Sequence, residues 1–138
     1  MIDLDAFIVP GKEAAGISLG VGVSELLANV SPQLITTLSD GLKYDLGTVK
    51  VWVQSGIVTQ IGVYSGYRGI LPPAIHIGST IAEVETCFGC SVTEDEGDNL
   101  IVPCSPGWCF DTESWGSSHR ITDNRKARIA EIFVFKAP

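Results

Sequence analysis

The stretch from Ala74 to Gly89, AIHIGSTIAEVETCFG, constrains this chain most, because it is the second copy of something already present. Moved back 58 places, from Ile75 to Ile17, it lays Ile75-His76-Ile77-Gly78 over Ile17-Ser18-Leu19-Gly20. Ile81, Glu83, Val84 and Phe88 then fall on Val23, Glu25, Leu26 and Val30. Each copy reads as a short extended piece ending at a glycine, a turn, and a helix with apolar residues at i, i+3 and i+7, one face of a 3.6-residue period. Thr80 and Glu83 have capping-box spacing, in which each side chain satisfies a backbone N–H at the helix start. The first copy has Gly22 at the cap and keeps only the glutamate.

The downstream halves agree at an offset of 71, Ile61 to Ile132, so Ile57 to Tyr64 corresponds to the closing run through Phe135. The second copy therefore has the longer middle. The reading is two tandem helix-then-strands units, 15–66 and 73–136, in one compact domain spanning 1–138. At this length a chain buries roughly 68% of the surface its unfolded form exposes, enough for one core.

Taken in order, residues 1–9 read as a leading strand or arm closed by Pro10-Gly11, Lys12 to Gly16 as a loop, and Ile17 to Leu19 as a short strand. Val23 to Val30 is the first helix, stopped by Ser31-Pro32. Gln33 to Leu38 reads as a second short helical piece. The period then drops to two: Val49, Val51 and Val53 alternate with Lys50 and Trp52, the mark of a sheet with one buried face. Gln54-Ser55-Gly56 turns the chain into Ile57 to Tyr64, where Ile57, Ile61 and Val63 face the core. Leu71-Pro72-Pro73 is a restricted linker. The second helix runs from Ile81 to Phe88 and ends at Gly89; strands follow at Leu100 to Pro103 and Trp108 to Phe110. Ala127 to Phe135 carries large apolar groups on both faces and belongs at the centre of a sheet. Short connections favour antiparallel neighbours, so the expected class is α+β: an antiparallel sheet with short helices packed on one face.

Hydrophobic residues make up 45% and charged residues 18%, a globular composition. No apolar run reaches transmembrane length, and MIDLDAFIVPG lacks a secretory n-region and h-region, so the expected location is the cytoplasm. Net charge is −7 and unevenly spread. Leu71 to His119 holds eight carboxylates and no Lys or Arg, whereas Arg120 to Pro138 holds five basic and two acidic residues. A surface of one sign repels nucleic acid, whose binding rests on phosphate neutralisation, and steers a basic protein instead.

Four cysteines, Cys87, Cys90, Cys104 and Cys109, are spaced for several fates. Cys87-x-x-Cys90 has zinc or redox spacing, and four residues separate the second pair, Cys104 and Cys109. Against metal, Cys87 sits near a helix end and Cys104 in an apolar run, as packed thiols do. Free packed thiols come first, then one or two disulfides, then a metal, so no cofactor is expected.

Chemistry is sparse. His76 lies in an extended run and reads as a sheet-face residue, leaving His119 as the one free imidazole, with Cys104 or Cys109 as a conceivable nucleophile. There is no Walker loop, dinucleotide glycine motif, HExxH or GxSxG. The chain therefore reads as a binding protein and not an enzyme. Binding surfaces set aromatic or arginine anchors in a polar rim. The candidates are Trp52, which points away from the valine side of its strand, Tyr64, Tyr67 and Arg68, then Trp108, Phe110 and Trp115. Asp95, Asp98, Asp111 and Glu113 supply charge opposite a basic partner.

Gly78-Ser79-Thr80-Ile81-Ala82-Glu83-Val84 through Phe88-Gly89, with the weaker copy at Gly20 to Val30, resembles the helix start of the tandem α+β repeat in the beta-lactamase inhibitor protein and the small outer-membrane assembly lipoproteins related to it. The chain also resembles bacterial toxin-immunity proteins of that architecture. The resemblance implies an inhibitor that masks a toxin, such as a basic nuclease-like effector, through a sheet or loop surface. The alternatives are a self-associating structural or assembly module and, behind it, a small enzyme using His119.

Overall fold

The computed structural model describes residues 2–95, 99–113 and 125–137. A small hairpin pairs β1 (Glu13–Ala14) with β2 (Ile17–Ser18) and leads into helix α1 (Val23–Leu27). Four strands follow, β3 (Leu34–Leu38), β4 (Gly41–Asp45), β5 (Val49–Gln54) and β6 (Ile57–Tyr64). The second half repeats the plan with helix α2 (Ile81–Phe88), then β7 (Thr93–Glu94), β8 (Leu100–Ile101), β9 (Trp108–Thr112) and β10 (Ile129–Phe135). All eight later strands form one antiparallel sheet in the order β3-β4-β5-β6-β10-β9-β8-β7. The second unit is thus laid down as the first turned about an axis between β6 and β10, with both helices packed on one face.

The duplication reaches individual hydrogen bonds. Gly20 N–H donates to Val58 O and Gly78 N–H to Ile129 O, both at 2.8 Å. Val23 N–H donates to Gly56 O at 2.8 Å, and Ile81 N–H to Ala127 O at 3.1 Å. Val58 N–H returns to Val21 O at 2.9 Å, and Ile129 N–H to Ser79 O at 2.8 Å. Every helix-side partner differs by 58 and every strand-side partner by 71, the two offsets visible in the sequence. Gly20 and Gly78 both have positive φ, +90° and +98°, which an L side chain rarely adopts and which explains a glycine at the same point of each copy.

Helix α2 starts as its residues dictate. Glu83 N–H donates to Thr80 Oγ1 at 3.1 Å and Thr80 N–H donates to Glu83 Oε1 at 2.9 Å, and the helix closes on Gly89 in the left-handed region. Helix α1 has Gly22 at its cap without a side-chain bond and stops at Leu27, three residues before the expected end.

One face of the sheet and the helices enclose the core. Across four strands, Val49, Val63, Ile132 and Phe110 stand opposite one another in register, as do Val51, Ile61, Val134 and Trp108. All are at most 1% exposed, and each such side chain stabilises the fold by roughly 1.5–3 kcal/mol. The Ser55-Gly56 turn has φ of +52° and +76°, the two positive values of a primed hairpin turn between Gln54 and Ile57. A register shift between Trp52 and Val53 changes parity on β6, so Val58 and Ile61 point inward. Ile57, expected in the core, is instead 45% exposed.

Gln33 to Leu38 also departs from expectation: it is not helical, and Leu34–Leu38 forms edge strand β3 through the two-residue hairpin at Ser39-Asp40. Its Leu-Ile-Thr-Thr-Leu composition suits a pleated strand, and pairing with β4 decides the matter. Among the cysteines, Cys90 and Cys104 form a disulfide with Cα atoms 6.4 Å apart, tying the end of α2 to the β8–β9 connection. Cys87 and Cys109 are free thiols.

Candidate interaction face

Residues that alternate with the core valines and isoleucines form the sheet's other face, and register identifies them. The central row runs Lys50, Gly62, Phe133, Cys109 across β5, β6, β10 and β9. On one side lie Lys43, Trp52, Gln60 and Phe135. On the other lie Tyr64, Glu131 and Asp111.

Gly62 makes the centre possible. A Cβ there would come within 3.1 Å of Trp52 Cζ3 and 3.2 Å of Phe133 Cδ1, so the missing side chain is the space into which both rings lean. Trp52 meets Phe133 edge to face at 5.7 Å between centroids, a geometry that places ring edge against ring face. Two ammonium groups sit over aromatics, Lys43 Nζ at 5.3 Å from the Trp52 centroid and Lys50 Nζ at 4.1 Å from Tyr64. Lysine stems thereby extend the apolar surface while the charges stay at its rim.

The opposite side is acidic and partly dry. Burial, then the neighbouring Glu131 and Asp95, push the Asp111 carboxyl up to about 6, and its Oδ1 is buried without a hydrogen-bond partner among the described residues. Burial, with Asp95, Asp111 and Glu131 adding to it, pushes the Cys109 thiol up to about 12, so this cysteine is a packed thiol and not a thiolate nucleophile. Burial also raises the Tyr64 phenol, and Glu131 adds to the shift; the hydroxyl lies within that carboxylate's field without the alignment of a hydrogen bond. The face is therefore polarised, with Trp52 and two lysines toward β4 and β5, and carboxylates toward β9.

The sequence-chosen residues separate into distinct places. Trp52, Tyr64 and Asp111 share this face, and Asp95 is close enough to raise Asp111 and Cys109. Glu113 is exposed just past β9, its N–H donating to Arg128 O at 3.0 Å. Tyr67 is not a contact residue: it is 4% exposed, and its hydroxyl donates to Ala6 O at 2.6 Å and accepts from Ala15 N–H at 2.9 Å. It pins the N-terminal arm, because a buried hydroxyl needs partners for both its donor and acceptor roles. Trp108 is likewise core, 1% exposed and stacked on Phe110 at 5.6 Å, with its indole N–H on Ser105 Oγ at 3.0 Å. Arg68 is exposed and holds Asp5 at 2.7 Å, on the arm and not on the face. That hydrogen bond to Arg68 holds the Asp5 carboxyl below its ordinary range. Asp98 and Trp115, with His119, lie outside the described residues. His76 is exposed, its Nδ1 2.7 Å from Ile77 O.

Gly62, Phe133, Lys43, Lys50 and Glu131 are absent from the sequence-derived candidates, and Cys109 stands there as a thiol and not as part of this face. Parity along the closing strand would have placed Phe133 opposite Ile132 and Val134, but only the β6–β10 register sets Gly62 against it. The clefts lie elsewhere. One of about 550 Å³ is lined by Lys12, Glu13, Ser18, Ile57, Thr59 and Lys136, and one of about 410 Å³ by Ala74, Ile75, Glu83 and Cys87. Among the described residues no group of three or more His, Cys, Asp or Glu is placed to hold a metal ion, and no helix is long and apolar enough to cross a membrane.

No protein-family model matches the chain, and no curated protein matches it by sequence. Its fold is similar to that in the crystal structure of the uncharacterized protein yfeY from Escherichia coli, with a TM-score of 0.67 and 8% sequence identity. That match covers 95% of this chain and 100% of the other. At such identity the likeness is one of fold.

Proposed function

We propose that this chain is a protein-binding inhibitor of the immunity type, which masks the active surface of a basic toxin with the sheet face centred on Trp52 and Phe133. The observation that carries the reading is the Trp52–Phe133 pair over Gly62, half-rimmed by lysines and half by carboxylates. Trp52 is part-exposed and is backed by Phe133, which is 8% exposed, so Trp52 is the anchor and Phe133 its support. An aromatic anchor with a charged surround is what a binding surface uses, the ring for buried area and the rim for orientation. A chain of net charge −7 adds long-range attraction for a basic partner.

The Cys90–Cys104 bridge bears on where the protein acts. Disulfides persist in oxidising compartments and are rare where glutathione keeps thiols reduced, so the bridge favours a periplasmic or extracellular site over the cytoplasm.

The test is a titration of the purified product of the neighbouring gene at low and at high salt, with the wild-type chain and with Trp52→Ala. One-to-one binding that weakens with salt and is lost or cut at least tenfold in Trp52→Ala is expected. Absence of binding at either salt concentration removes the reading for that partner, and binding indifferent to Trp52 removes the face.

A further inference from the structure

The two ends of the eight-stranded sheet are built in opposite ways. At one end β7 is two residues long, Thr93–Glu94, and runs into Asp95. Short length and carboxylates are how natural sheets keep an edge from recruiting another strand. At the other end β3 is five residues long, pairs among the described residues with β4 alone, and carries no charge from Gln33 to Leu38. Leu34 is 61% exposed and Ile35 52%, on opposite faces of the same strand. Every second N–H and C=O of β3 points away from β4, as on any edge strand.

We infer that β3 pairs with β3 of a second copy, antiparallel about a two-fold axis through Thr36, joining two eight-stranded sheets edge to edge. The strand is close to its own mirror image about that residue. Such pairing sets Leu34 opposite Leu38 of the second copy on the Trp52 face and Ile35 opposite Thr37 on the helix face, with Thr36 opposite its own copy. Leucine then meets leucine at both ends, and the two exposed apolar residues are covered by the contact that satisfies the outward backbone groups. Charge permits a second copy at this edge: two chains of net charge −7 repel, and the six uncharged residues at 33–38 are where they can approach. One strand pair covers much less than the 1,200–2,000 Å² of a standard stable interface, so the dimer forms and dissociates with concentration. Salt screens the repulsion and strengthens it, opposite in sign to the partner binding proposed above, and no foreign protein is needed.

Sedimentation velocity from micromolar to near-millimolar protein, at low and high salt, is the experiment. The expected result is a monomer–dimer equilibrium that shifts toward dimer with salt and is abolished by Ile35→Lys, whose far-UV spectrum stays that of the wild type because the site is exposed. In a Cys87→Ser background, Thr36→Cys is expected to form an interchain disulfide on mild oxidation, since directly opposed residues of an antiparallel pair lie within disulfide reach. Ser24→Cys, exposed on α1, is the control that does not. A monomer at every concentration and salt, or Thr36→Cys crosslinking no faster than Ser24→Cys, overturns the inference.

Discussion

Gly62 on β6 stands directly opposite Phe133 on β10, and the two occupy the same position of the two repeats, 71 residues apart. The pseudo-two-fold relating the halves therefore passes between them. Its neighbours follow suit: Ile61 faces Val134, and Val63 faces Ile132. On the core side the pairing keeps like with like. On the other face the symmetry is broken by replacing one of two equivalent side chains with hydrogen, because two phenylalanines opposed at the axis would compete with Trp52 for one space.

Filling that space is costly. Gly62→Val is expected to destabilise the protein by about 1–3 kcal/mol, since the new side chain must displace Trp52 or Phe133 from contact distances of 3.1 and 3.2 Å. Urea unfolding of Gly62→Val, Phe133→Leu and the double variant checks it. The two changes should couple by about 0.5–3 kcal/mol, with the smaller ring relieving part of the cost. Strict additivity would show that the rings do not share the glycine's space.

Asp111 sets a pH dependence of definite sign. Its folded carboxyl is raised from 3.8 to about 6, so between those values the folded state holds a proton the unfolded state has released. Stability from this group is full below about pH 4 and falls as pH rises through about 6. Asp111→Asn should be more stable than the wild type at pH 7.5, with the difference shrinking toward pH 4. Paired denaturant titrations across that range test it, and a difference that does not change with pH would refute the assignment.

Removing the Cys90–Cys104 bridge frees a loop with a sequence separation of 14. Loop-closure entropy for that length predicts a loss of about 3 kcal/mol, measured as a lower urea midpoint for Cys90→Ser/Cys104→Ser or for the wild type under reductant. Cys109, buried and with its thiol raised to about 12, should stay unreactive to a thiol reagent in the native protein while Cys87 labels.

The capping box of α2 can be moved to α1. Thr80→Ala should cost about 1 kcal/mol. Gly22→Ser should add roughly 0.5–1 kcal/mol, by capping beside Glu25 and by narrowing the unfolded ensemble. The backbone there is already extended, φ −69° and ψ 139°, and a Cβ meets nothing within 4 Å. Thermal unfolding of the two single variants gives the signs directly.

The duplication, the α2 boundaries with their cap and C-terminal glycine, the β5–β6 hairpin and the central place of the closing strand were all legible in the chain. These are local or periodic properties: a helix start is written within four residues, and a strand's faces alternate along its own backbone. Length of the first helix was less legible, since without a side-chain cap nothing local holds Ala28 to Val30 in helical form.

Three things were decided only in the fold. Leu34–Leu38 is a strand because β4 offers it a ladder, whereas its residues taken singly allow either state. Ile57 is exposed because a register shift two strand positions away turns its side of β6 outward. Tyr67 and Trp108 are core, and Phe133 lies 8% exposed on the opposite face behind Trp52, because burial depends on pairings across β6, β10 and β9 between residues roughly 20 to 75 positions apart in sequence. The chain alone thus determined the repeating unit and its local signals, which depend on near neighbours. Which aromatics are core and which form the candidate site followed from the two units meeting edge to edge, a relation that no single stretch of sequence contains.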